Sequence, residues 1–259
     1  MTSHKYGLKV WSSNTQYEKS IIDLFQQKIF HYIEIYTLPN TYNSFSSFWL
    51  KLKKNYGIPF IVHAPHSAHS MNLALPECQE TNLILWKEVE KWSSLLEPQY
   101  IIFHSGIFGT ISETLKQLQL INCHKIIIEN KPLVGLGGEH CIGATFNEFQ
   151  FIKNNTEIEF CFDFGHAICA ANAQKLNPNE EIKKFLELNP VMFHLSDGEF
   201  SSIRDQHRHF GEGDFPLSSM LKMLPEKSMI SIETQKDSSE NLDDFKKDIF
   251  FLHEVLKLV

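Results

Sequence analysis

Short β-branched or aromatic runs alternate with stretches of helical period along the chain. The strand-like runs are GLKVWS (7–12), HYIEIYT (31–37), PFIVH (59–63), YIIFH (100–104), KIIIE (125–129), EFCFD (159–163), VMFH (191–194) and MISIE (229–233). Between them lie amphipathic segments such as TQYEKSIIDLFQQ, TNLILWKEVEKWSSLL, SETLKQLQLI, FNEFQFIKNN, NEEIKKFLEL and SSMLKML, and NLDDFKKDIFFLHEVLKL follows the last run. Eight strand-then-helix units in 259 residues predict an α/β fold, a closed (β/α)8 TIM barrel. A doubly wound open sheet alternates in the same way, but eight units over-fill it and no Gly-x-Gly-x-x-Gly follows the first strand. No linker or low-complexity stretch interrupts the pattern, so 1–259 reads as one barrel domain.

Composition narrows the picture. The chain is 42% hydrophobic and 21% charged with a formal charge of −7, which argues against a broad basic surface and leaves room only for a local one. No run of apolar residues is long enough to span a bilayer, and MTSHKYGLKVW lacks the apolar core of a signal peptide, so a cytoplasmic protein is expected. Five cysteines without a C-x-x-C pair suit a reducing compartment. Nothing in the sequence points to a protein partner.

Histidine changes the picture most, with thirteen in the chain. Six consecutive strand candidates end on a residue that binds metals or protons: His63, His104, Glu129, Asp163, His194 and Glu233. Each follows an apolar run, so each is expected at the C-terminal mouth, where barrel enzymes carry their active sites. One such residue is as easily structural as functional. Six ionisable groups converging on one rim are costly unless something binds them, and carboxylates with imidazoles suit zinc, manganese or iron. His166 follows Asp163 by three residues, and the loop after His194 carries Asp205 and His207, an Asp-x-His pair that an extended segment would project to one side. Alone, that loop reads as solvated; beside a rim of ligands it reads as a metal site.

The segments VHAPH…MNL, IIFHSG, IIIEN, FDFGHA, FHLSD, DQHRHFGEG and SIET, between positions 62 and 234, resemble endonuclease IV, the zinc-dependent apurinic/apyrimidinic endonuclease family within the xylose isomerase-like barrel superfamily. DQHRHFGEG is the most specific piece, because single-metal sugar isomerases of that superfamily generally lack the Asp-x-His pair. The resemblance implies three Zn2+ ions (with Mn2+ or Fe as alternatives). One would be held by His63, His104 and a bridging Glu129, a second by Glu129, Asp163, His194 and Glu233, and a third by His166, Asp205 and His207. It implies cleavage of DNA on the 5′ side of abasic sites, with Glu129 and Glu233 catalytic and Glu233 the proton acceptor. For the first ligand, His63 has the better strand register, whereas His66 keeps the family's spacing to Asn72 and Leu73.

The likeness weakens at the DNA-reading loops. TLPNTYNSFSSF (37–48) contains no arginine, and its Tyr42, Phe45 and Phe48 read as helix core rather than as base-stacking groups. The wedge expected before Asn72 is replaced by small polar residues and His69. The chain's two arginines, Arg204 and Arg208, flank Asp205 and His207 and are read as substrate-binding forks for a phosphate. GLGGEH (135–140) reads as a flexible mouth loop. A single-metal isomerase or epimerase acting on a small sugar is the competing function, and a metal-binding protein without catalysis is the third.

Overall fold

The computed structural model describes residues 4–257. Eight parallel strands close into a barrel: β1 (Lys5–Trp11), β2 (Tyr32–Tyr36), β3 (Phe60–His63), β4 (Ile101–His104), β5 (Ile126–Glu129), β6 (Glu159–Asp163), β7 (Met192–Leu195) and β8 (Met229–Ile232). Each pairs with its sequence neighbours, and β1 closes on β8 through Lys5↔Met229 to Leu8↔Ile232. The expected strands and the observed ones agree to within two residues at every end.

Register places the functional residues. His104 pairs with Glu129, Asp163 with His194, and Tyr36 with His63, while two-residue steps separate these pairs, His63 lying opposite Ile102 and Glu129 opposite Cys161; in a barrel of tilted strands such steps bring the strand ends to one rim. Glu233 lies one residue beyond β8, where its N–H donates to the Leu195 carbonyl. Below the rim, Tyr32, Ile61, Ile102, Ile127, Cys161 and Met192 fill the barrel's lower interior. Around it pack α1 (Glu18–Gln26), α2 (Tyr42–Tyr56), α3 (Gln79–Leu96), α4 (Ile111–Ile121), α5 (Phe146–Asn155), α6 (Phe164–Ala173), α7 (Pro178–Glu187), α8 (Leu217–Met223) and α9 (Asp243–Lys257). Leu258, the last residue assigned to the final helix from sequence, lies outside the described residues. All five cysteines are free, and no helix among the described residues is long and apolar enough to cross a membrane.

One segment follows the helix-core reading of its aromatics and one differs from the sequence reading. Much of TLPNTYNSFSSF is helix, since α2 begins at Tyr42; Tyr42, Phe45 and Phe48 pack against the core, with Tyr42 edge-on to Trp92 at 5.2 Å. GLGGEH is a paired turn rather than a free loop. Val134 bridges His140, Gly135 N–H donates to the Glu139 carbonyl, and Cys141–Ile142 pairs antiparallel with Gly106–Ile107. Two-residue strands are too short to leave a periodic signature, which is why this ribbon escapes sequence reading.

Asn72 fastens the ribbon to the loop after β3. Its side chain donates to the Ile107 carbonyl and accepts from the Ile107 and Ala74 amides, while its backbone bonds Asn82 in both directions. Asn72 and Asn82 are both buried. Asn72→Ala is therefore expected to cost roughly 2–3 kcal/mol in urea unfolding, because several backbone groups lose their partners at once.

Candidate metal centre

Glu129 is the hub of the rim. Its carboxylate is fully buried, with His104 Nε2 at 3.0 Å, His63 Nε2 at 3.2 Å, His166 Nδ1 at 3.2 Å and His194 Nδ1 at 3.3 Å. Four imidazoles from four segments thus surround one carboxylate. On this rim, atoms able to hold a metal fall into three compact groups, each with all its atoms within 4.8 Å: His63, His104 and Glu129; Glu129, Asp163, His194 and Glu233; and His166, Asp205 and His207. Glu129 belongs to two of them.

Neighbouring groups fix which atom each of these side chains could offer to a metal. His63 Nδ1 is 2.8 Å from the Ala64 carbonyl, and His166 Nδ1 is 2.8 Å from that of Asn130. A proton on each Nδ1 leaves Nε2 as the free donor of a lone pair. His194 is reversed: Nε2 lies 2.8 Å from Glu34, so Nδ1 faces Glu129 and Glu233. Asp163 caps α6 by accepting the His166 amide through Oδ1, which leaves Oδ2 pointing elsewhere. Asn130 ties the two strand ends together, accepting the Asp163 amide and donating to its carbonyl.

The donor set fits divalent cations. Buried Glu129 Oε1, Asp163 Oδ2, His194 Nδ1 and His207 Nδ1 have no hydrogen-bond partner, although such atoms rarely go unpaired. Nitrogen and carboxylate oxygen in these proportions are the donors of zinc and related ions. Electrostatics agree. Burial pushes the Asp163 carboxyl up to about 6, with His166 opposing and the carboxylates of Glu233, Asp205 and Glu129 adding to the rise. Burial also takes His104 down to about 3.

His66 joins none of these groups. Its Nδ1 accepts the Ala68 amide, and its ring stacks on His104 with centroids 5.1 Å apart. Between the two candidates for first ligand, His63 is the one brought to Glu129. Asp205 and His207 do face one another, with His207 Nε2 on Asp205 Oδ2, but not across an extended segment. His207 has φ +49°, a left-handed conformation unusual for histidine. It is held there by the backbone bridge Asp197↔Arg208 and by Gln235 N–H donating to the His207 carbonyl.

The arginines are not brought to the cavity. Arg204 is exposed at the surface, and Arg208 is paired with Glu199 at 2.7 Å and donates to the Glu212 carbonyl. Nearby surface acids claim the one guanidinium that approaches. The cationic groups that do line the cavity are lysines. This cavity, of about 550 Å3, opens above the metal groups and is walled by Lys9, Trp11, Tyr36, His66, Glu233 and Lys236 among others.

Lys9 and Glu34 were missed from sequence. Lys9 Nζ donates to Glu233 and lies 3.2 Å from Glu34, which also accepts from the Ser231 hydroxyl. With His194 and Lys9 beside it, Glu34 is held at about 2 despite burial that favours its neutral form. A charged residue inside an otherwise apolar strand, as in YIEIY and GLKVW, was the available signal.

Comparison with known proteins follows the same lines. The profile described as "Xylose isomerase-like TIM barrel" matches residues 30–255, and the chain belongs to that family. It is 30% identical to a "Probable endonuclease 4" of Mesomycoplasma hyopneumoniae strain J across 63% of this chain, a match that spans 63% of the relative's length. Among solved structures, a D-tagatose 3-epimerase-like protein superposes with TM-score 0.76 at 22% identity, covering 98% of each chain. An endonuclease IV from Thermus thermophilus superposes with TM-score 0.70 at 17% identity, covering 98% of this chain and 100% of the other. At those identities the superpositions speak for the fold.

One brace reaches the site from outside the barrel. Asp248 of α9 is buried and accepts from His209 Nδ1 at 2.8 Å, Thr234 Oγ1 at 2.6 Å and the Phe210 amide at 3.2 Å. It therefore ties the Asp205–His207 loop to the residue after Glu233. Asp248→Ala should lower unfolding stability by roughly 2–4 kcal/mol in denaturant titration, and Asp248→Asn by less.

Proposed function

We propose that the chain is a metal-dependent phosphodiester hydrolase of the endonuclease IV kind, cutting DNA on the 5′ side of abasic sites with three divalent cations, zinc first among them. The observation that carries this reading is the third group, His166 with Asp205 and His207, beside the two that share Glu129. A site for one-metal proton shuttling needs only the Glu129, Asp163, His194 and Glu233 quartet. The curated relative of similar sequence, a probable endonuclease 4, supports the same choice.

Cations held by the three groups would neutralise the phosphodiester's charge on attacking and leaving oxygens and lower the pKa of bound water. The chain's own residues do the rest. Glu129 holds the first two groups together. Glu34 fixes the His194 ring so that one nitrogen faces inward. Glu233, oriented by Lys9, takes the proton from the attacking water. Lys9 and Lys236 on the cavity wall supply positive charge toward a phosphate, the task expected of the arginines from sequence.

A sugar isomerase or epimerase is the second reading, favoured by a cavity of about 550 Å3 that suits a small ligand and by the absence of an arginine from the loop after β2. Elemental analysis separates the two. Three equivalents of metal per chain, falling to two in Asp205→Ala, together with incision of abasic duplex DNA that chelation abolishes, is the expected result. One equivalent and intact DNA would overturn the hydrolase. Glu233→Gln is expected to slow incision by at least ~100-fold while leaving duplex affinity nearly unchanged, as measured by single-turnover cleavage and fluorescence anisotropy.

A further inference from the structure

Part of the cavity wall is built by β1, beside Glu233. Lys9 and Trp11 alternate with buried Leu8 and Val10, so both project from the same face of the strand, and both line the cavity. Two residues of strand separate them by about 6.6 Å, which puts Trp11 one pleat above the lysine that touches Glu233. Trp11 is 53% exposed, whereas Trp49 and Trp92 are fully buried and Trp86 is 8% exposed. What sets Trp11 apart from the chain's other exposed large hydrophobics is its place on the cavity wall, two residues from the lysine that meets Glu233. Its backbone is nevertheless fixed: the Trp11 amide donates to Asn14 Oδ1 at 2.8 Å, and the Asn14 amide returns to the Trp11 carbonyl at 2.9 Å. Tyr36 flanks the indole at 6.5 Å between centroids and leaves over half of Trp11 in solvent.

We infer that Trp11 is the substrate-recognition platform of this site, stacking on the base of the nucleotide immediately 5′ to the abasic residue whose phosphate is held at the Glu129–Glu233 level. This rests on the hydrolase reading and adds to it a residue and a substrate feature. The chemistry is that of an anion with a planar ring one strand pleat away: lysine and metal ligands below, an indole face above. It also accounts for how a chain without an arginine or an aromatic wedge in its β2 and β3 loops recognises a nucleotide at all. Aromatic stacking is indifferent to which base is present, so the recognition is of a base, not of a sequence.

The test uses the metal-loaded full chain and two short duplexes containing a tetrahydrofuran abasic analogue. In one the 5′ neighbour keeps its base; in the other that neighbour is abasic as well. Trp11 is the tryptophan open to acrylamide, so its quenching reports contact directly. The ordinary duplex should protect it, and the tandem abasic duplex should bind about tenfold more weakly and leave it quenchable. Trp11→Ala should raise KM about tenfold with kcat and metal content little changed, and Trp11→Phe should restore KM. If the ordinary duplex binds, by anisotropy of an end label, while Trp11 stays fully quenchable, the stacking inference fails and the hydrolase reading stands. If neither duplex binds and a ketohexose protects Trp11 instead, the hydrolase reading itself fails.

Discussion

Everything at the mouth of this barrel is arranged around the negative charge of Glu129. A carboxylate with no solvent exposure, at the end of an isoleucine-rich strand, cannot persist there unaided. Four histidines approach it from β3, β4, α6 and β7, and two of them are turned toward it by something behind, a carbonyl for His63 and Glu34 for His194, while His166 shares its Nδ1 between Glu129 and the Asn130 carbonyl. The barrel supplies the convergence, since tilted, staggered parallel strands deliver their last residues to one mouth. The rest of the site follows from keeping these rings oriented and giving their lone pairs a common target.

Much of this was legible in the chain before any coordinates. A residue that ends an apolar run is fixed in both level and direction by the strand, so His63, His104, Glu129, Asp163 and His194 could be placed on one rim from spacing alone. Glu233 sits one residue past its strand and still reaches the rim. Residues that act across the barrel were less visible. Lys9 and Glu34 meet Glu233 and His194 only after closure brings β1 beside β8, and no local pattern encodes a contact between positions some two hundred residues apart.

Arg208 shows the opposite failure. Proximity in sequence to Asp205 and His207 suggested proximity to the cavity, but the left-handed turn at His207 and the bridge between Asp197 and Arg208 send the two side chains to different sides. Direction in a loop depends on backbone dihedrals that composition does not specify. The same limit separates fold from function here. The barrel is shared with an epimerase-like protein and with an endonuclease IV, so the chemistry must be read from the loop that carries Asp205 and His207 and not from the strands beneath it.

That loop hangs partly from α9, through Asp248. In a chain made from its N-terminus onward, Asp248 emerges after every histidine and carboxylate of the three groups. The anchor that sets Asp205 and His207 lies outside the ring of strands, on a helix that contributes no residue to the three groups. A change in α9 can therefore reach the third group through His209 and Phe210 without touching any of its three side chains.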